Sequence, residues 1–137
     1  MSSSKNTAKS IPLKNMTQCL EAWTTWNGKG ATILSSVEIE QSTGNVTALS
    51  DMADILAGMR QVLEAMHERF DQVPEDDPQF GLYRQCIHMF EQEFMVKESI
   101  QSIVREEGFM SKQQLTGSIS LWKAEAYLDE DVIKQLH

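Results

Sequence analysis

The residues of this chain that can carry chemistry are scattered, and their spacing limits what they can do. His67 is followed by Glu68 but by no second histidine four residues on, the spacing a helix needs to bring two imidazoles to one metal ion. Cys86 and His88 are two residues apart and fall on different faces of a helix. Glu93, His88 and Lys97 offer a carboxylate, an imidazole and an amine within a short stretch, the material for a small enzyme, but no pocket-forming segment accompanies them. Asn27-Gly28-Lys29-Gly30 lacks the glycine spacing and the trailing Lys-Ser/Thr of a phosphate loop. The acidic groups Asp76/Asp77, Glu106/Glu107 and Asp129/Glu130/Asp131 lie beside turns or helix ends, where solvation and the helix dipole account for them. The expectation is a protein that is not an enzyme, with no catalytic residue, no cofactor and no metal.

What must position these residues is one domain, since 137 residues suffice for a single modest core. Apolar residues make up 41% of the chain, yet no run reaches the roughly 18 to 20 residues of a membrane span. The opening residues, MSSSKNTAKSIPLKN, carry no apolar stretch of a secretory signal, so the expected location is nucleus and cytoplasm. In such a reducing compartment Cys19 and Cys86, far apart and in no ligand spacing, read as two small buried hydrophobes. The net charge is −8, and it is unevenly spread: residues 1–30 hold four lysines against Glu21, and the remainder holds eight basic against nineteen acidic residues. Such a body repels phosphate backbones, which argues against direct nucleic-acid binding. Residues 1–14 read as a disordered arm and residues 15–137 as the domain.

Helical periodicity dominates that domain. Over residues 15–41, Met16, Cys19, Trp23, Trp26, Gly30, Ile33 and Val37 recur at three- and four-residue spacings, through two glycines that each cost roughly 1 kcal/mol relative to alanine. Thr43-Gly44-Asn45 supplies a stop. Over residues 47–72, Leu49, Met52, Leu56, Met59, Leu63, Met66 and Phe70 alternate without interruption over three heptads. Pro74 and Pro78 then break the pattern. A third helix, residues 79–107, presents two adjacent stripes that include Tyr83, Ile87, Phe90 and Phe94, and Gly108 can cap it. Ser111 and Asp129 can cap two short helices near the end. No segment alternates with period two. The expected fold is all-α, an antiparallel three-helix bundle or coiled coil of long helices with short C-terminal helices.

The methionines of the second helix fit core filling better than a soft binding surface. Trp23 and Trp26 lie three apart on one helical face, and Trp122 and Tyr127 flank Ala124-Glu125-Ala126. These four aromatics are the candidate partner-binding residues, because amphipathic rings dominate protein interfaces.

Four stretches give the chain a resemblance to the cyclin-dependent kinase 2-interacting protein family. Trp23-Thr24-Thr25-Trp26-Asn27-Gly28-Lys29-Gly30 is similar to that family's motif near the start of its first helix, with Trp23, Asn27 and Gly30 matching. Met89-Phe90-Glu91-Gln92-Glu93-Phe94-Met95-Val96-Lys97 is similar to a motif in its late long helix. Trp122 followed five residues later by Tyr127 resembles its C-terminal tail, and the leucine-rich second helix agrees in position and length. The chain departs from the family in a shorter N-terminal arm, in Ala126 where proline is usual, and in a shorter loop between the second and third helices. The resemblance implies a non-catalytic adaptor with roles in DNA replication and checkpoint signalling. It also implies a subunit of an AAA ATPase assembly in ribosome maturation and chromatin proteostasis. The partners it implies are AAA ATPases and cyclin-dependent kinase or checkpoint factors, in a heteromeric complex with another helical subunit. The residues by themselves support a helical protein that binds proteins, which leaves open an obligate coiled-coil subunit of an unrelated complex.

Overall fold

Asn15 starts the first helix, α1 (Met16–Ser35), by accepting a hydrogen bond from the Gln18 amide at 2.9 Å. Gln18 answers with its own side chain, which accepts from the Lys14 amide at 2.8 Å, one residue before the cap, and so ties the entering chain to the first turn. The helix runs unbroken through Gly28 and Gly30 and stops six residues earlier than its apolar spacing predicts. The Ser35 and Ser36 hydroxyls turn back onto the carbonyls of Ala31 and Ile33, the competition with backbone bonding that makes serine a poor helix interior. The computed structural model describes residues 13–37, 46–106 and 112–136. Most of the N-terminal arm, the stop at Thr43-Gly44-Asn45, Gly108 and the Ser111 cap lie outside the described residues.

The second helix, α2 (Val46–Asp71), and the third, α3 (Phe80–Glu106), match the predicted spans to within a residue. Between them Pro74 and Asp77 close successive turns, with the Asp77 carboxylate accepting from the Gln79 amide at 2.8 Å to set the start of α3. The helices α4 (Lys112–Ala124) and α5 (Glu130–Lys134) follow, the latter capped by Asp129 as its sequence predicts. All the described regular structure is helical, an all-α bundle in which α1 and α3 both pack on α2.

The directions alternate. Arg69 at the end of α2 holds the Leu13 and Lys14 carbonyls at the start of α1, and Arg60 of α2 meets Glu98 of α3 at 3.0 Å. α1 and α3 make no close backbone approach; α4 packs against both and closes the gap on the side away from α2. The core follows the predicted stripes. Met52, Met59 and Met66 are fully buried, Leu56, Leu63, Ile87, Phe90 and Phe94 are buried, and Leu49, Phe70 and Tyr83 lie half-buried at its edge. At about 1.5–3 kcal/mol for each fully buried large side chain, this stripe is the main attractive term of the fold.

Two glycines are fixed by tryptophans. A Cβ on Gly30 would overlap the Trp122 ring and one on Gly58 would overlap the Trp26 ring, whereas a Cβ on Gly28 meets nothing within 4 Å. Gly28→Ala should therefore raise stability by about 0.5–1 kcal/mol through helix propensity. Gly30→Ala should lower it by about 1–3 kcal/mol, because the indole must leave its seat. Urea unfolding of both variants checks the opposite signs, and equal effects would show that Trp122 is not held against Gly30.

Candidate functional site

Lys97 sits where a core residue belongs. Along α3 the series Cys86, Phe90, Glu93, Lys97, Ile100 and Val104 runs at spacings of four and three and is buried throughout, so the Glu93–Lys97 pair occupies the middle of the face turned inward. The Lys97 side chain has no exposure and that of Glu93 only 1%. A buried ammonium is costly unless acceptors surround it.

Those acceptors come from three other segments. The Lys97 ammonium donates to Asn27 Oδ1 at 2.7 Å and to the Trp122 carbonyl at 2.9 Å. It lies 3.3 Å from Glu93 Oε2 and 3.6 Å from Glu125 Oε2, and 4.3 Å from the Trp122 ring centroid, within reach of the ring's negative face. Glu125 is fixed in turn by the Trp23 indole, which donates to its Oε2 at 2.6 Å, while the Trp122 indole donates to the Asn27 carbonyl at 2.9 Å. Trp23 also meets Phe90 edge to face, with centroids 5.0 Å apart, and so spans the gap between α1 and α3. Past the end of α4, Glu125 adopts φ 46°, a left-handed conformation more often given to glycine, and the Tyr127 amide reaches Glu93 Oε1 at 3.4 Å.

The electrostatics follow from burial. Desolvation lowers the Lys97 pKa, opposed by the charges of Glu125 and Glu93. Desolvation raises that of Glu125, opposed by the Trp23 hydrogen bond and by Lys97. The ammonium is enclosed by its partners and acts as a tie between α1, α3 and the end of α4. His88 is exposed and faces Glu91 at 3.9 Å, so the trio Glu93, His88 and Lys97 is not assembled. Cys19 and Cys86 are free and buried, and burial pushes the Cys86 thiol up to about 12, far from a reactive thiolate. Among the described residues no group of three or more His, Cys, Asp or Glu is placed to hold a metal ion, and no helix is long and apolar enough to cross a membrane.

Of the four aromatics expected at partner surfaces, Trp23 and Trp122 lie inside, 1% and 0% exposed, because their indoles supply the donors and the ring of the lysine network. Trp26 is half-buried against Gly58, and Tyr127 is 50% exposed. Glu125 is the member of the site that the sequence did not single out. Its signal is faint: a lone acid between two alanines just past a helix end.

Compared with protein-family profiles, with curated proteins and with solved structures, the chain has no match.

Lys97→Met should lower stability by about 3–5 kcal/mol, because it leaves two carboxylates facing each other without a cation. Glu125→Gln keeps an acceptor for Trp23 and should change stability by no more than about 1 kcal/mol at neutral pH. A carboxyl whose pKa is raised by folding binds its proton more readily in the folded state. Its contribution is therefore complete below the ordinary value of 4.5 and is lost as the pH rises through the folded value. Stability measured by urea unfolding at a series of pH values should show that decline in the wild type and not in Glu125→Gln; parallel curves would remove Glu125 from the network.

Proposed function

We propose that this chain is a non-catalytic helical adaptor or subunit that binds other proteins, of the kind found in the cyclin-dependent kinase 2-interacting protein family. One observation carries the reading. Three of the four stretches that gave the resemblance are far apart in sequence, and residues from each meet in one network: Trp23, Asn27 and Gly30 from α1, Phe90, Glu93 and Lys97 from α3, and Trp122 with the Tyr127 amide from the C-terminal segment. Three short motifs that match by accident have no physical reason to be mutually dependent, whereas motifs that specify one fold must be. The same observation favours a non-catalytic role, since the residues with chemistry are used to hold the chain together.

In this reading the protein serves DNA replication and checkpoint signalling and joins an AAA ATPase assembly in ribosome maturation and chromatin proteostasis, in the nucleus and cytoplasm. Its partners are AAA ATPases, cyclin-dependent kinase or checkpoint factors and a second helical subunit. It makes no direct contact with nucleic acid or membrane. The rival reading, an obligate coiled-coil subunit of an unrelated complex, takes its motive from the heptads of α2 and the double stripe of α3, of which the α2 stripe packs against α1 and α3.

Purification of the tagged full chain from its own cells, with light scattering of the chain expressed alone, tests the proposal. The expected outcome is a stable helical monomer in isolation and recovery of an AAA ATPase in fixed proportion from cells. Recovery of a fixed-proportion complex without any ATPase would favour the rival, and no partner in fixed proportion would overturn both.

A further inference from the structure

The face of α1 beside the lysine network carries a second feature. Trp26, Lys29, Thr32 and Ile33 of α1 and Asp51, Asp54 and Ile55 of α2 line an open groove of about 360 Å³. The floor is apolar: the half-buried Trp26 indole lies over Gly58, where any larger residue would push it away, and Ile33 and Ile55 continue the floor. The rim is acidic. Asp51 and Asp54 are exposed, and among the described residues neither has an ion-pair or hydrogen-bond partner. Neither lies in the first turn of α2, so the helix dipole does not account for them.

We infer that this groove docks a basic amphipathic helix of a partner protein, with apolar side chains over Ile33 and Ile55, one arginine stacked on Trp26 and another set between Asp51 and Asp54. This inference rests on the protein-binding reading and names its surface. Charge selects the occupant: two unpaired carboxylates on a chain of net charge −8 attract a cationic segment and repel an acidic one. The aromatic floor agrees, because the Lys29 ammonium already lies 5.0 Å from the Trp26 ring centroid. The site accepts a cation over the indole, and an arginine, planar and less tightly hydrated, replaces that lysine with better stacking. Size agrees as well. Trp26 to Ile33 is two helical turns, about 10 Å, the span from an arginine to an apolar anchor two turns along a docked helix.

The probe is a synthetic helix of about 12 residues with two leucines four apart and an arginine on the turn to either side, matched by a peptide with glutamate in place of arginine. The readout is the indole N–H resonance of Trp26 in the full chain, which stands apart from those of Trp23 and Trp122 because these two are hydrogen-bonded inside. The arginine peptide should move the Trp26 resonance with a Kd on the order of 100 µM. Asp51→Asn with Asp54→Asn should weaken it about three- to tenfold, as should raising the salt, and Lys29→Ala should tighten it. Equal binding of the glutamate peptide, or no effect of the aspartate variants, overturns the inference. A Trp26 shift caused by Lys5→Gln with Lys9→Gln alone, without peptide, would make the chain's own basic arm the occupant and also overturns it. The broader reading is scored separately by recovery from cells. A partner held equally by wild type and by the aspartate double variant removes the groove and keeps that reading. Arginine-selective binding at Trp26 with no partner recovered keeps the groove's chemistry and counts against that reading.

Discussion

A lysine with no solvent exposure obliges the rest of the chain to come to it. Removing an ammonium and a carboxylate from water costs several kcal/mol per ion, and that cost is offset only when the remaining hydrogen-bonding capacity is filled with good geometry. Lys97 donates to Asn27, just past the middle of α1, and to the Trp122 carbonyl in the last turn of α4, and carboxylates on α3 and just past α4 flank it, of which Glu93 Oε2 is buried with no hydrogen bond of its own. None of these is adjacent in sequence except Glu93, so the charge is tolerable in one arrangement of four segments. A core of methionine and leucine would have bound the helices as firmly but would have accepted several registers.

That selectivity matters most for α4. It buries only Leu115, Ser118 and Trp122, carries Gly117 in its interior, and on apolar contact alone could slide a turn along the gap between α1 and α3. A slide of one turn, about 5.4 Å, would separate the Trp122 carbonyl from Lys97 and the Trp122 indole from the Asn27 carbonyl at once, while its ring lost the space left by Gly30. The left-handed Glu125 belongs to the same constraint. Its backbone strain, of order 1–3 kcal/mol, is borne because the side chain there receives the Trp23 indole and faces the ammonium.

What was legible in the sequence was whatever repeats. The strict alternation of α2 shows both its length and its buried face, the two prolines show the turn after it, and Asp129 shows the start of α5, because each acts through neighbours a few residues away. The end of α1 was overrun because Val37 continues the apolar spacing while the serines before it withdraw their hydroxyls onto the last carbonyls, a competition that periodicity does not register. The lysine network was half visible. Phe90, Glu93, Lys97 and Ile100 stand at core spacing, a charged pair in the middle of an apolar stripe, yet by type alone Glu93 and Lys97 suggest with His88 only the material of a small enzyme. Its partners were out of reach, because Asn27 and Glu125 are paired with Lys97 only by the packing of α4, and nothing local in either residue announces it. The same gap put Trp23 and Trp122 at a partner surface: composition identifies large amphipathic rings but does not say whether their donors are met inside.

The middle of α1 is thereby occupied on two neighbouring faces. Trp23, Asn27 and Gly30 face inward to the network, and Trp26, Lys29 and Ile33 line the groove against α2. A hydrogen bond loses most of its strength within a fraction of an ångström or a few tens of degrees, so the 2.7 Å contact of Asn27 with Lys97 leaves this turn of helix little freedom to shift or rotate. Trp26, one residue away and seated on Gly58, inherits that rigidity. A surface that is already ordered by the core loses little conformational entropy when something settles on it. The cost of fixing the floor of the groove has therefore been met on folding, by the same buried charge that fixes α4, and the two faces of α1 are stiff for one reason.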